Sequence, residues 1–128
     1  MFINRKNDEN EMLREQLVEK LSNDGIPADE IITYDVLFTD RLIEFNRVYI
    51  YIRKGKYYLR VVTFRESEEE NYEFTDLEEL TYRLVELQMM RKAFREKGNF
   101  KELYLYNMKQ IGESYYERAL NEWNKTHL

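Results

Sequence analysis

Residues 48–64 read VYIYIRKGKYYLRVVTF, two runs of β-branched and aromatic residues joined by a short basic segment. Lys54-Gly55 lies at the centre, and a glycine in this position is typical of the two-residue loop of a β-hairpin. The resulting register determines which side chains share a face. One face, which we expect to lie in the core, carries Val48, Ile50, Ile52, Tyr57, Leu59 and Val61.

The opposite face of this hairpin is rich in aromatic residues. It carries Tyr49, Tyr51, Tyr58, Arg60, Val62 and Phe64. Antiparallel sheets often leave one face to solvent, but rarely one this aromatic. Two interpretations follow: a helix or another strand covers this face, or the face binds a partner through Tyr49, Tyr51 and Tyr58. Tyrosine suits the second role because it combines a large apolar ring with a polar tip.

The segment before the hairpin begins as a helix. Leu13, Leu17 and Leu21 recur at four-residue spacing, which predicts a helix over about residues 7–24 that ends at Gly25. The pattern then changes from helical to alternating, and residues 31–38 and 42–45 are the first two strand candidates. Residues 72–74 are predicted to form a short last strand.

The C-terminal part of the chain is helical. Thr75 with Glu78 forms a capping box, and an apolar stripe at three- and four-residue steps follows it to Phe94. Asn99 with Glu102 repeats the capping pattern before a second stripe that continues to about residue 123. We therefore predict an α+β fold with an N-terminal helix, an antiparallel sheet of about four strands and two long C-terminal helices. The length of 128 residues predicts one domain, residues 1–128.

Composition favours a folded protein without membrane spans. Hydrophobic residues make up 43% of the chain and charged residues 35%, with one proline and no cysteine. The N-terminus lacks the apolar centre of a signal peptide, and no apolar run approaches the ~18 residues of a membrane span. We expect a cytoplasmic protein with no membrane partner. The formal net charge of −5 argues against nucleic acid as the partner, since phosphate binding needs an excess of Lys and Arg.

Residues that could carry chemistry are scarce. The single histidine is His127, so no triad with histidine and no histidine metal site can form within the chain. Gly25, Gly55, Gly98 and Gly112 stand outside any phosphate-binding glycine pattern. We predict no catalytic residue, no metal ligand and no cofactor, and hence a protein that is not an enzyme.

The strongest electrostatic feature is an acidic stretch. Between Glu66 and Glu79 the chain has eight acidic residues and no Lys or Arg. We predict that its glutamates lie on a loop between two elements, which either steers a basic partner towards the protein or is a solvated surface that maintains solubility. The candidate partner-binding residues in this stretch are Glu66, Glu68, Glu69, Glu70 and Glu73.

The order of elements resembles that of a known family. A leading helix is followed by strands ending at 57–64, a charged turn at 65–67, the helix start TDLEELTY at 75–82 and a last helix that contains YYERAL at 115–120. This order is similar, over roughly residues 13–124, to the immunity protein 63 family. That family consists of small α+β proteins encoded beside polymorphic toxins in bacteria.

The resemblance implies a function by binding. A protein of this kind would neutralise one cognate toxin by occluding its active site, as a monomer or weak homodimer. The acidic stretch would suit a toxin with a basic surface. The alternative from another class is a homo-oligomeric structural or regulatory module that pairs with itself through the tyrosines of the hairpin.

Overall fold

The computed structural model describes residues 5–63 and 69–126. Contacts divide the chain into two compact units, one ending at Thr81 and one beginning at Tyr82, so that the boundary falls inside a helix. A single domain over residues 1–128 stays a prediction. The elements are, in order, α1 (Arg5–Asn23), α2 (Ala28–Ile31), β1 (Val36–Leu37), β2 (Arg47–Arg53), β3 (Lys56–Val62), β4 (Glu69–Phe74), α3 (Leu77–Arg95), α4 (Phe100–Ile111) and α5 (Glu113–Thr126).

The first helix ends as its sequence predicts. Gly25 has a φ of 75°, and the N–H of Ile26 bonds to the carbonyl of Leu21 at 2.8 Å. This is the hydrogen bond of a helix end that is closed by a left-handed residue, a conformation that glycine adopts without steric cost. Leu13, Leu17 and Leu21 are all buried, so the four-residue spacing marks the inner face of α1.

The hairpin of β2 and β3 has the predicted register. Ile52 pairs with Tyr57 and Ile50 with Leu59, and Lys54 and Gly55 form the turn with φ values of 51° and 75°. Two positive φ values in succession define the turn whose twist matches that of the flanking strands. Val48, Ile50, Leu59 and Val61 are buried, so this face lies in the core as expected.

The sheet has four strands in the order β1-β2-β3-β4, and it is mixed. β1 pairs with β2 in parallel, whereas both other pairs are antiparallel, which corrects the expectation of an all-antiparallel sheet. The strand candidate over residues 31–38 was too long, because the chain is helical as far as Ile31 and only Val36 and Leu37 pair with β2.

The second strand candidate, residues 42–45, was wrong. The backbone N–H groups of Ile43 and Glu44 bond to the hydroxyl of Tyr49 at 3.0 and 2.7 Å instead of to a neighbouring strand. A side chain thus satisfies the backbone groups that a strand partner would have taken. The segment forms a loop in front of β2.

The C-terminal helices begin at caps and divide at a glycine. Asp76, rather than Thr75, caps α3 by accepting from the N–H of Glu79 at 2.8 Å, and Asn99 caps α4 as predicted, accepting from Glu102 at 3.0 Å. The predicted last helix is two helices, because Gly112 donates to Met108 and accepts from Tyr116, ending α4 and beginning α5. Within the described ranges, no helix has the length and apolar character needed to cross a membrane.

Candidate partner-binding surface

Two tyrosines form a stacked pair on the outer face of the hairpin. Tyr51 and Tyr58 are cross-strand partners, and their ring centroids lie 5.0 Å apart with an angle of 11° between the planes. The guanidinium of Arg53 lies 5.6 Å from the centroid of the Tyr51 ring. Both tyrosines are partly exposed, so a partner can contact the stacked rings.

Tyr49, the third predicted tyrosine, is a core residue. It is 1% exposed, and its hydroxyl donates to the carbonyl of Glu44 at 2.6 Å while it accepts from the N–H groups of Ile43 and Glu44. A partner cannot reach this side chain in the folded chain. The prediction for Tyr49 is therefore corrected: alternation placed it on the same face as Tyr51, but the loop before β2 supplies the partners of its hydroxyl.

The described acidic candidates all lie on a strand, because the predicted last strand over residues 72–74 begins earlier, at Glu69, and includes two glutamates that were expected in the loop. Glu69, Glu70 and Glu73 belong to β4, which pairs with β3, whereas Glu66 and Glu68 lie outside the described residues. All three described carboxylates are exposed. Pairing with β3 places Glu69 and Glu73 on the same face as Tyr58, and Glu70 on the opposite face.

Cross-strand partners hold two of these carboxylates in place. Arg60 forms an ion pair with Glu69, and Glu73 receives the Tyr58 hydroxyl at 3.0 Å and the Lys56 ammonium at 3.3 Å, both on its Oε1. The hydrogen bond from Arg60 lowers the pKa of Glu69, and the one from Tyr58 lowers the pKa of Glu73, so both are ionised at neutral pH. We name this set the tyrosine face; it comprises Tyr51, Tyr58, Arg60, Glu69 and Glu73.

Glu70 has a different environment. Its carboxylate accepts a hydrogen bond from the Tyr72 hydroxyl at 2.8 Å, and no cation pairs with it among the residues the structure describes. Tyr72 is 40% exposed and its ring stacks with that of Phe74, with centroids 6.3 Å apart. β4 thus presents carboxylates on both of its faces and its two aromatic rings on the face of Glu70, which is the face of the buried Leu59 and Val61. Since it is also the edge strand of the sheet, a partner can approach it along its edge.

The helices beyond Tyr82 contain a second polar cluster that the sequence analysis missed. Arg83 bonds to Glu86 at 2.9 Å and to Glu122 at 3.2 Å, and Arg118 bonds to Glu122 at 3.2 Å. The spacings of Arg83 with Glu86 and of Arg118 with Glu122 could have suggested two pairs along helices. The contact between Arg83 and Glu122 joins α3 to α5, and no local pattern predicts it.

Burial influences the titration of this cluster. It raises the pKa of Glu86 above its ordinary value, although the Arg83 guanidinium acts in the opposite direction. The pKa of Tyr82 is raised as well, chiefly by burial. The Arg118 guanidinium lies 3.8 Å from the centroid of the Tyr82 ring, an attractive arrangement of cation and aromatic face.

A cleft of about 350 Å³ adjoins this cluster. Met90, Tyr104, Ala119 and Trp123 supply its apolar walls, and Arg83, Glu86 and Glu122 lie at its polar side. The two carboxylates are occupied by arginines, so neither stands ready as a base or as a ligand. In the described ranges, no group of three or more His, Cys, Asp and Glu side chains could hold a metal ion.

Comparisons with protein-family models, with curated proteins and with solved structures found no match to this chain.

Proposed function

We propose that the protein is an immunity protein that binds one cognate bacterial toxin and neutralises it by covering its active site. The observation that carries the proposal is the exposure of β4: five of its six residues are exposed at the edge of the sheet, and three of them are glutamates. Adjacent to them lies the stacked pair of Tyr51 and Tyr58. The resemblance to the immunity protein 63 family supports the choice of a toxin as the partner.

The mechanism in this proposal is stoichiometric binding. Aromatic rings contribute buried area at an interface, and carboxylates speed the approach of a basic partner. Glu69 and Glu73 are held by Arg60 and by Tyr58, so little side-chain entropy remains to be lost on binding. The protein would act in the cytoplasm, bind no nucleic acid and need no catalytic group of its own.

The direct test uses the toxin domain encoded next to the gene of this chain. Bacteria that express this domain should stop growing, and co-expression of the chain should restore growth. The two proteins should also co-purify in a one-to-one complex, as measured by light scattering. Tyr51→Ala should weaken the complex by about tenfold or more, in the range of an interface aromatic. Growth arrest that the chain does not relieve, with no complex, would contradict the proposal.

A homo-oligomeric module is the second candidate. The loop before β2 exposes Leu42, Ile43 and Phe45 at 48%, 61% and 47%, and apolar side chains grouped in this way often lie at interfaces. Sedimentation over a wide concentration range decides between the candidates. A stable dimer at micromolar concentration that Ile43→Ser dissociates would favour the module, whereas a monomer would remove it.

A further inference from the structure

The hairpin register determines which backbone groups of β4 point away from the sheet. In a hairpin with a two-residue loop, the pair that flanks the loop, here Arg53 and Lys56, exchanges both of its hydrogen bonds. The backbone N–H and C=O groups of successive β3 residues then point alternately to its two neighbouring strands, so that those of Lys56, Tyr58 and Arg60 bond to β2. The residues between them bond to β4; these are Tyr57, Leu59 and Val61.

The same alternation continues into β4. Tyr57, Leu59 and Val61 pair with Phe74, Tyr72 and Glu70, so these three residues of β4 direct their N–H and C=O groups towards β3. The other residues of the strand direct theirs outwards; they are Glu69, Asn71 and Glu73. All three have exposed side chains, and within the described residues no strand pairs with this edge.

An edge of this kind is a template for another strand. The outward N–H and C=O groups of three alternate residues can bond to an extended segment, and its side chains would then continue the two faces of the sheet. Nothing in the geometry of β4 blocks such an addition: the strand contains no proline, and its pairing with β3 is regular over six consecutive residue pairs. Among the outward-pointing residues, Glu69 and Glu73 stand on either side of Asn71. Their negative charge determines which kind of segment can bind.

Charge disfavours a second copy of this chain as that occupant. If β4 paired antiparallel with itself about Asn71, so that the outward backbone groups of both copies bond, Asn71 would face Asn71, and Glu69 of each copy would face Glu73 of the other. Like charges that lie directly opposite one another destabilise a strand pair. A segment with Lys or Arg at these two positions would instead place a cation opposite each carboxylate. The Oε2 of Glu73 is suited to it, because Lys56 and Tyr58 both contact Oε1.

We propose that β4 accepts an extended basic segment of the partner protein as a fifth strand of the sheet, a proposal that rests on the protein-binding function above. Basic residues of the segment lie beside Glu69 and Glu73 on the tyrosine face. The residues between them lie on the other face, beside Glu70, Tyr72 and Phe74, where apolar side chains extend the stacked rings of the two aromatic residues. The recognised pattern is thus an alternation of basic and apolar residues.

Hydrogen exchange of single amides tests this pairing directly. The probe is a synthetic peptide of about seven residues that alternates lysine and valine, long enough for an average strand. In the protein alone the amides of Glu70 and Tyr72 should be protected, and those of Glu69, Asn71 and Glu73 should exchange rapidly. The peptide should slow exchange at the second set and leave the first unchanged. A peptide that alternates glutamate and valine should have no effect.

Two variants at the central position separate strand addition from contact with a side chain. Asn71→Pro removes an outward N–H while leaving the bonds to β3, and proline is tolerated on the outer side of an edge strand. It should weaken peptide binding by about tenfold, whereas Asn71→Ala, which keeps the N–H, should stay within about twofold of the parent. If Asn71→Pro does not fold, the exchange pattern and Glu73→Gln, which should weaken binding, replace it.

Several outcomes would overturn the proposal. They are equal binding by Asn71→Pro and Asn71→Ala, equal binding of the two peptides, and a peptide that slows exchange of both sets of β4 amides alike. Rapid exchange that becomes slow in a dimer of the protein alone would assign the edge to a second copy. If the toxin still binds Asn71→Pro normally, strand addition fails while the proposed function stands. If the peptide adds to β4 but the toxin does not bind, the proposed function fails while strand addition stands.

Discussion

At the scale of single residues, Tyr49 shows how one hydroxyl can organise a loop. Its oxygen bonds to two N–H groups and one carbonyl of the segment before β2, within a distance of 3.0 Å or less for each. That segment has no regular secondary structure, and these bonds link it to the sheet together with the ion pairs of Glu44 with Arg47 and of Asp40 with Arg53. Leu42, Ile43 and Phe45 are exposed on the same segment, and their presentation depends on Tyr49.

Tyr49→Phe should therefore lower the free energy of unfolding by about 1–3 kcal/mol, the cost of leaving partly buried groups without partners. Denaturant unfolding measures the loss, and the amides of Ile43 and Glu44 should exchange faster. Tyr57→Phe is the control, because the Tyr57 hydroxyl has no hydrogen bond within the described residues and its removal should change stability little. Equal stability of both variants would mean that water replaces the Tyr49 contacts without cost.

Glu86 is predicted to give stability a pH dependence. Burial raises its pKa above the ordinary value of 4.5, so the folded protein binds this proton more tightly than the unfolded chain. The stability that comes from the protonated form is present below pH 4.5 and is lost as the pH rises through the folded pKa. Glu86→Gln, which cannot ionise, should remove this decrease. If the unfolding midpoints of parent and variant depend on pH in the same way, the raised pKa of Glu86 is contradicted.

At the scale of elements, β4 combines the acidic stretch with the edge of the sheet. An acidic run that was expected to be a loop before residue 72 pairs with β3 from Glu69 onwards, and Lys56 and Arg60 of β3 lie diagonally across from two of its glutamates. These exposed ion pairs contribute little stability, but they reduce the net charge that the edge presents. The negative charge that this edge still presents comes from Glu70, with which no described cation pairs, and from Glu69 and Glu73, which Arg60 and Lys56 partly compensate.

Neutralising this strand should slow the association with a basic partner. A triple variant should lower the association rate with the toxin by about tenfold at low salt and flatten the salt dependence of this rate. It combines Glu69→Gln, Glu70→Gln and Glu73→Gln. The unfolding midpoint should change little, since exposed ion pairs contribute little stability. The matched control neutralises Glu15, Glu19 and Glu30, which are exposed on α1 and α2, for the same change in net charge. Equal rates for both triple variants would show that the position of the charge is irrelevant.

At the scale of the whole molecule, the described residues contain two candidate regions with different character. The sheet offers an exposed edge and an aromatic face to large partners. The helices beyond Tyr82 contain a partly apolar cleft whose carboxylates are paired with Arg83 and Arg118. This pairing favours a structural role for the cluster, because removing one partner would leave a half-buried charge without its counterion.

Small ligands should accordingly leave thermal stability unchanged. A ligand that binds the folded state raises the melting temperature by mass action, so Zn²⁺, Mg²⁺ or ATP at millimolar concentration should shift it by less than about 1 °C. The purified toxin domain should raise it by several degrees. Calorimetry or dye-based melting measures both effects, and a clear shift with Zn²⁺ or ATP would contradict the prediction that the protein has no cofactor.

Features that depend on neighbours along the chain could be predicted from the amino-acid sequence alone. Gly25 ends α1, Lys54-Gly55 sets the hairpin register and Asn99 caps α4, because each depends on a local φ angle or on a side chain within a few residues. The α+β class follows from these elements and from the change of period between them. The cap of α3 was predicted one residue too early, at Thr75, because the adjacent Asp76 is also a capping residue type and accepts the hydrogen bond instead.

Which of these elements contact one another depends on packing between residues that are far apart in the sequence. The parallel pairing of β1, the burial of Tyr49 beneath its loop and the contact between Arg83 and Glu122 join residues whose partners no local pattern specifies. Alternation assigns a side chain to one face of a sheet, but it does not specify what covers that face. The acidic candidates show the same limit: residues 72–74, which include Glu73, were predicted as a strand, but the extension of that strand to Glu69 depends on pairing with Val62 of β3, which exists only once the register is formed.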